Sequence, residues 1–484
     1  MSLLATIAQE ARIAAASLAD YVSGTGMRLG ITGLSRAGKT VFITALIHQL
    51  TKGGRLPVLR DHAEGRLAGA RLEPQPDDQV PRFAYEDHLA ALTGPDRHWP
   101  QSTRRVSELR LTLEFERRAG WRKGPRELTL DIVDYPGEWL LDLPLLTKSY
   151  AQWSRETLDA SAAAARAPLA QDFRGFVAGL AADAPASEDE ARKASDLFTA
   201  YLRAARDERF ALSTLPPGRF LMPGDLEGSP ALTFAPLPLG EGVEIGSGTL
   251  NAMMERRYEA YKTHVVRPFF RDHFARLDRQ VVLVDALAAL NSGPEAVRDL
   301  EGALADVLAA FRAGSSSFLS TLFRPKIDRI LFAATKADHL HHTSHDRLEA
   351  ILRLLVSRAI SRAQGLGASL DVIALAAVRA TREAAVKQGR ETLDAIVGTP
   401  MAGERIDGQV FDGEAEAAIF PGELPVDPKA VFRGDGLGVA EAAADYRFLR
   451  FRPPVAVMEG GAPRPLPQIR MDRALEFLLG DRLG

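Results

Sequence analysis

The sequence predicts an α/β fold: a mostly parallel sheet with helices on both faces. Three observations carry that expectation. Short apolar runs such as residues 280–285 (QVVLVD) read as strands buried on both faces, as parallel sheets require. Stretches of helical periodicity separate these runs, as crossovers between parallel strands demand. Finally, RLGITGLSRAGKTVFITAL at 28–46 places Gly33, Gly38, Lys39 and Thr40 in the phosphate-binding spacing G-x-x-x-x-G-K-[ST].

The residue types in that loop suit phosphate. Glycines let the backbone curl so that its N–H groups point inward at phosphate oxygens. Lys39 would reach the β- and γ-phosphates, and the Thr40 hydroxyl would ligate Mg2+. Leu29 and Ile31 read as a buried strand before the loop, and residues 41–50 as an apolar helix whose N-terminal dipole faces the anion. The nucleotide-binding set at this loop is Gly33, Ser35, Arg36, Ala37, Gly38, Lys39, Thr40 and Val41.

Composition bounds the rest. At 484 residues the chain holds two or three structural units, and 46% hydrophobic content supports a substantial core. Lys plus Arg at 60 against Asp plus Glu at 63 leaves a net charge of −3, so no nucleic-acid footprint is expected. With no cysteine, disulfides, thiolate-bound zinc and thiol catalysis are excluded. No run approaches the roughly 18 apolar residues of a membrane span. Residues 3–22 lack the pattern of a signal peptide and read as a helix packed on the core, with peripheral membrane contact as the alternative. A cytoplasmic location fits these features.

In chain order, residues 1–26 form this N-terminal helix. Residues 27–139 form the first part of a nucleotide-binding core, with an enlarged loop-and-helix connection over 51–105, rich in Gly, Pro and Arg, and a helix at 83–92. Leu109, Leu111, Leu113 and Phe115 alternate with other residues and mark a half-buried strand at 106–116. A hairpin turn at 120–125 leads to a strand at 127–133. Residues 140–277 read as an inserted, mostly helical domain, with helices at 154–184, 187–209 and 251–277 around an irregular stretch at 215–248. The core resumes over 278–397, with strands at 280–285, 327–334 and 369–376 and helices at 294–313 and 348–364. Residues 398–484 form a C-terminal extension, with strand-like pieces at 409–411 and 447–452 and a last amphipathic helix at 471–479.

Three further motifs follow core strands. Asp134-Tyr135-Pro136-Gly137 puts a carboxylate where it would hold Mg2+ and a glycine whose N–H would meet the γ-phosphate. Thr335-Lys336-Ala337-Asp338 matches the N-K-x-D pattern with Thr in place of Asn. The Asp338 carboxylate would accept hydrogen bonds from guanine N1–H and its exocyclic amine, which adenine cannot offer, and the Lys336 stem would cover the base. Ala377 and Val378, in AAVRA, would place a backbone N–H at guanine O6. Thr103, with Ser102 and Thr93 as weaker candidates, has the spacing for a second Mg2+-contacting hydroxyl. Glu138 stands where a glutamine commonly orients the attacking water, and its charge opposes the γ-phosphate, so slow hydrolysis is expected. Arg36 would stabilise charge in cis. The candidate catalytic residues are therefore Lys39, Thr103, Gly137, Glu138 and Arg36, and the metal ligands Thr40, Thr103 and Asp134. His339, His341, His342 and His345 cluster after the base motif without a matching carboxylate pattern, and read as a solvated loop rather than a metal site.

The order GLSRAGKT, DYPG, TKAD and AAVRAT resembles a Ras-like GTPase core. With TGLSRAGKTVFITALIHQL, VDYPGEWLLDLPLL and MDRALEFLLGDRL, the chain is similar along nearly its whole length to the bacterial YcjX-like family of phosphate-loop GTPases. The resemblance implies a Mg2+-dependent protein that binds GTP, hydrolyses it slowly to GDP and acts in a stress response. It also implies a protein partner, a membrane protein among the candidates, which the helical insert would meet at the inner membrane. Two other readings stand beside it: a phosphate-loop ATPase, and a nucleotide-gated interaction module with negligible turnover.

Overall fold

The structure, a computed structural model, describes residues 26–33, 36–75, 77, 80–101, 105–116, 125–181, 184–206, 215–226, 228–239, 246–310, 327–357, 368–388, 391–406, 408–432 and 446–484. The expected N-terminal helix at 3–22, Ser35, Ser102 and Thr103 lie outside these residues, as do parts of the 120–125 turn and the far ends of the helices expected at 187–209, 294–313 and 348–364.

Seven strands make the main sheet: β1 (Gly26–Gly33), β2 (Leu67–Glu73), β3 (Ser107–Glu116), β4 (Pro125–Asp134), β5 (Arg279–Val284), β6 (Arg329–Ala334) and β7 (Ser369–Ala374), in the order β2-β3-β4-β1-β5-β6-β7. The strands from β4 to β7 run parallel, and β3 and β2 are added antiparallel at one edge. The α/β expectation and the mostly parallel sheet are both observed.

Period-two alternation explains the layers. In β5, Val281 and Leu283 join one hydrophobic cluster, and Val282 and Val284 join another on the opposite face. Both faces are covered, so the strand reads as continuously apolar. The first face receives α1 (Lys39–Thr51) and the C-terminal helix α9 (Met471–Leu483). The second receives the helices between β4 and β5, namely α3 (Tyr150–Ser161), α4 (Gln171–Ala178), α5 (Glu188–Ala205) and α6 (Leu250–Tyr261), together with α7 (Pro294–Ala310) and α8 (His345–Leu355). Trp153, Phe198, Phe234 and Tyr258 from the inserted region share one cluster with Val133, Val284 and Phe332 of the sheet. The insert thus forms the covering layer of that face.

Several elements differ from the expectation. Residues 51–101 contain not only α2 (Tyr85–Thr93) but also β2, whose LAGARLE has low strand propensity and is held by its antiparallel ladder to β3. The single helix expected at 154–184 is two, because Pro168 cannot continue a helix and 162–170 runs in turns. After β7, β8 (Arg382–Gln388) and β9 (Glu391–Gly398) form a hairpin that β10 (Ala417–Ile419) extends to three strands. The strand-like piece at 447–452 makes only an isolated bridge, Pro400 to Phe451. Among the described residues, no helix is long and apolar enough to cross a membrane.

Candidate nucleotide site

Parallel register brings the C-terminal ends of β4, β1, β5, β6 and β7 to one edge: Ile31 lies beside Asp134, Gly33 beside Leu283, and Ala334 beside Val284 and Ala374. Loops beyond such ends are where α/β sheets bind ligands. All four predicted motifs follow these ends.

At β1, a Cβ on Gly33 would come within 2.8 Å of the Leu283 carbonyl oxygen, so only glycine fits. Arg36 and Gly38 both take the left-handed conformation, with φ of 62° and 80°, and between them turn the chain into α1. For Arg36 this is an unfavoured backbone, of the kind that concentrates at ligand-binding loops. Gly38 caps α1 without a side chain and the first turn holds no acidic residue. No carboxylate of that turn therefore competes with an anion for the helix N-terminus. Ala37 is buried, Val41 half-buried and Arg36 exposed. Lys39 Nζ donates to the Gly33 carbonyl at 3.1 Å, folded back along the loop, and Thr40 Oγ1 lies 3.4 Å from the Gln101 carbonyl oxygen.

At β4, Asp134 is 1% exposed and stands beside Ile31 on one side and Ser107 on the other. The Thr40 hydroxyl and the Asp134 carboxylate are oxygen donors, the hard ligand type that Mg2+ takes. Gly137 begins a 3-10 segment, Gly137–Thr147, that the helical layer grips residue by residue. Glu138, expected to address the attacking water, is 3% exposed and pairs with Arg206 Nη2 at 2.8 Å, just beyond α5. Gly218 packs so closely that a Cβ there would lie 2.0 Å from the Glu138 carbonyl oxygen. Arg219 sits 3.1 Å over the Trp139 ring, and Trp139 Nε1 donates to the Met222 carbonyl at 3.2 Å.

Asp142 receives the Gly218 N–H and the Tyr261 hydroxyl, each at 2.6 Å. Burial pushes its carboxyl up to about 6, those hydrogen bonds opposing the shift. A folded-state value above the ordinary 3.8 means that this stability is present below about pH 4 and lost as pH rises through about 6. Asp142→Asn cannot ionise. Relative to that variant, the wild type is expected to lose about 3 kcal/mol of stability between about pH 4 and pH 7, by denaturant unfolding at a series of pH values. Parallel stability curves would refute the assignment.

At β6, Lys336 is left-handed, with φ of 61°, and its Nζ pairs with Asp285 at the end of β5. Asp338 is 4% exposed; its Oδ2 accepts the Ala380 N–H at 2.8 Å and its carbonyl accepts the Thr381 hydroxyl. The Ala337 N–H donates to the Leu375 carbonyl at 3.1 Å. The base motif and the AAVRA segment are thereby latched, with Val378 buried and Ala377 half-buried. The extension supports them from behind: Ala376 and Ile469 exchange backbone hydrogen bonds, and the Arg379 N–H reaches the Pro467 carbonyl at 2.7 Å. Sequence reasoning did not identify Arg206, Gly218, Arg219 or Tyr261. Their contacts span dozens of residues and leave no local spacing signal.

Residues 27–483 match the model of the YcjX-like family, DUF463. The chain is 39% identical over 469 residues to an Escherichia coli (strain K12) protein named Ras-like GTPase YcjX, covering 94% of this chain and 96% of that one. It is 34% identical over 489 residues to a Shewanella oneidensis protein of the same name, covering 96% of each chain.

Proposed function

The chain belongs to the YcjX-like family, and from that premise we propose that it is a Ras-like GTPase that binds GTP and hydrolyses it to GDP and phosphate. The observation that carries this reading is the convergence of the loops after β1, β4, β6 and β7, with Asp338 bonded to Ala380. Lys39 would leave the Gly33 carbonyl to meet the β- and γ-phosphates. Thr40 and Asp134, joined by Thr103, would hold Mg2+, which when bound offsets phosphate charge. Gly137 would meet the γ-phosphate through its N–H, and Arg36 would approach the transferring group from the loop. Asp338 would accept from guanine N1–H and its amine, with Lys336 over the base plane and Ala377 and Val378 near O6.

The Glu138–Arg206 pair favours a second reading, a nucleotide-gated interaction module with negligible turnover, because the carboxylate is engaged by the helical layer. Slow hydrolysis, a partner docking on that layer, a membrane protein among the candidates, and a stress-response role at the cytoplasmic face of the inner membrane belong to the first reading, the GTPase.

One titration tests these readings. Wild type is expected to prefer GTP over ATP, and Asp338→Asn to bind GTP about 10²-fold more weakly, having lost charge-assisted bonds. Equal wild-type affinity for both nucleotides would overturn the guanine assignment in favour of an ATPase. Tight GTP binding without Mg2+-dependent phosphate release would establish the interaction module instead.

A further inference from the structure

The fold supplies the carboxylates that the histidine run lacks in sequence. His341 and His342, in the turn after Asp338, lie against Glu383 on β8 and Asp394 on β9. His342 Nδ1 is 2.9 Å from Glu383 Oε2, and His341 Nε2 is 3.9 Å from the same oxygen. One ligand atom from each of His341, His342 and Glu383 fits within 4.8 Å of the others.

From this juxtaposition we propose that His341, His342 and Glu383 bind a divalent cation of the zinc class, with water completing a tetrahedral shell. The neighbours of each ligand support the assignment. His341 Nδ1 is 3.0 Å from Thr343 Oγ1 and 3.3 Å from Asp394 Oδ2, and the Thr343 hydroxyl itself donates to Asp394 at 3.3 Å. With acceptors on that side, the proton stays on Nδ1 and the Nε2 lone pair faces Glu383. A carboxylate-supported histidine of this kind is the usual outer support of a zinc ligand. Arg379 Nη2 holds the other Glu383 oxygen, Oε1, at 3.4 Å, and so directs Oε2 toward the imidazoles.

The donor set decides the cation. Two imidazole nitrogens and one carboxylate suit Zn2+, Co2+ or Ni2+, whereas Mg2+ and Ca2+ take oxygen. Bond lengths near 2 Å place tetrahedral ligand atoms about 3.3 Å apart. These half-buried and exposed side chains reach that spacing by small rotations. To ligate through Nδ1, the His342 ring would carry its proton on Nε2, the outward nitrogen. The cation would tie the turn beyond Asp338 to the β8–β9 hairpin, a separate place from the phosphate loop. The proposal does not rest on the nucleotide reading.

The test is Zn2+ titration by calorimetry on tag-free, chelator-stripped full chain without nucleotide. One equivalent is expected to bind wild type, and the Co2+ form to show visible absorption of tetrahedral intensity. His341→Ala and Glu383→Gln are each expected to weaken binding by at least about 10-fold, and Asp394→Asn, a positioning residue, by about 10-fold with stoichiometry kept. Zn2+ should raise the Tm of wild type more than that of His341→Ala at the same concentration. No saturable Zn2+ binding by wild type, or the same affinity in the His341→Ala/His342→Ala double variant, would overturn the proposal. Displacement by millimolar Mg2+ would do so as well.

Discussion

Replacing Lys39 by Ala is expected to leave the fold intact and nearly abolish nucleotide function. The ammonium rests on the Gly33 carbonyl at 3.1 Å, at the mouth of a loop shaped by Arg36 and Gly38 in left-handed conformation. Its removal takes no apolar surface from the core, so the unfolding midpoint should hardly move. On the proposed reading, the developing charge on the transferring phosphate loses the Lys39 ammonium. Turnover should fall on the order of 10²- to 10³-fold, the usual effect of deleting one preorganised donor at a developing anion. GTP affinity, measured with a fluorescent analogue, should fall alongside. Unchanged affinity together with unchanged phosphate release would remove Lys39 from the phosphate site.

The largest stability effect is expected at Trp153, on the other face of the sheet. The indole is 1% exposed, stacks on Tyr258 at 5.1 Å and meets Phe234 edge-on at 5.5 Å. Its Nε1 donates to the Pro216 carbonyl at 3.3 Å. Trp153→Ala should cost about 3–5 kcal/mol, from lost burial and from the cavity that a rigid aromatic cluster cannot close. Guanidinium unfolding measures this directly. Tyr258, the stacking partner, also donates to the Lys148 carbonyl at 3.0 Å, just beyond the segment that starts at Gly137. The same variant should therefore loosen that segment, seen as faster amide exchange over 137–147. Exchange unchanged there would uncouple the segment from the aromatic cluster.

Elements stabilised by local pattern were legible in the sequence. QVVLVD declared a strand buried on two faces, the alternation of Leu109, Leu111, Leu113 and Phe115 marked β3, and the glycine spacing marked the turn into α1. Elements stabilised by remote partners were not. β2 exists because β3 offers a ladder, and its own alanine and glycine give no period to detect. The histidine run read as a bare loop because Glu383 and Asp394 arrive from a hairpin that followed no motif. Glu138 is the sharpest case. Its position after Gly137 suggested a chemical role, while its partner Arg206 lies far along the chain, where spacing carries no information. Thr103, read from spacing, falls outside the described residues.

The seat of α1 is closed by residues from the far end of the sequence. Leu475, Leu478 and Leu479 of α9 share a cluster with Phe42, Leu46 and Leu50 of α1. Gln49 Nε2 donates to the Leu466 carbonyl at 2.5 Å, His48 meets the Arg464 carbonyl at 3.1 Å, and Arg279 of β5 is held by Asp481 at 2.6 Å. On the ribosome, α1 emerges hundreds of residues before α9. The sheet and α2 cover the apolar side of α1 before then, and what waits for the end of the chain is the pairing of His48 and Gln49. A nascent chain thus carries the loop after β1 early and the fastening of the end of α1 late. The last turn of α1 is therefore pinned in place only when the end of the chain has been made.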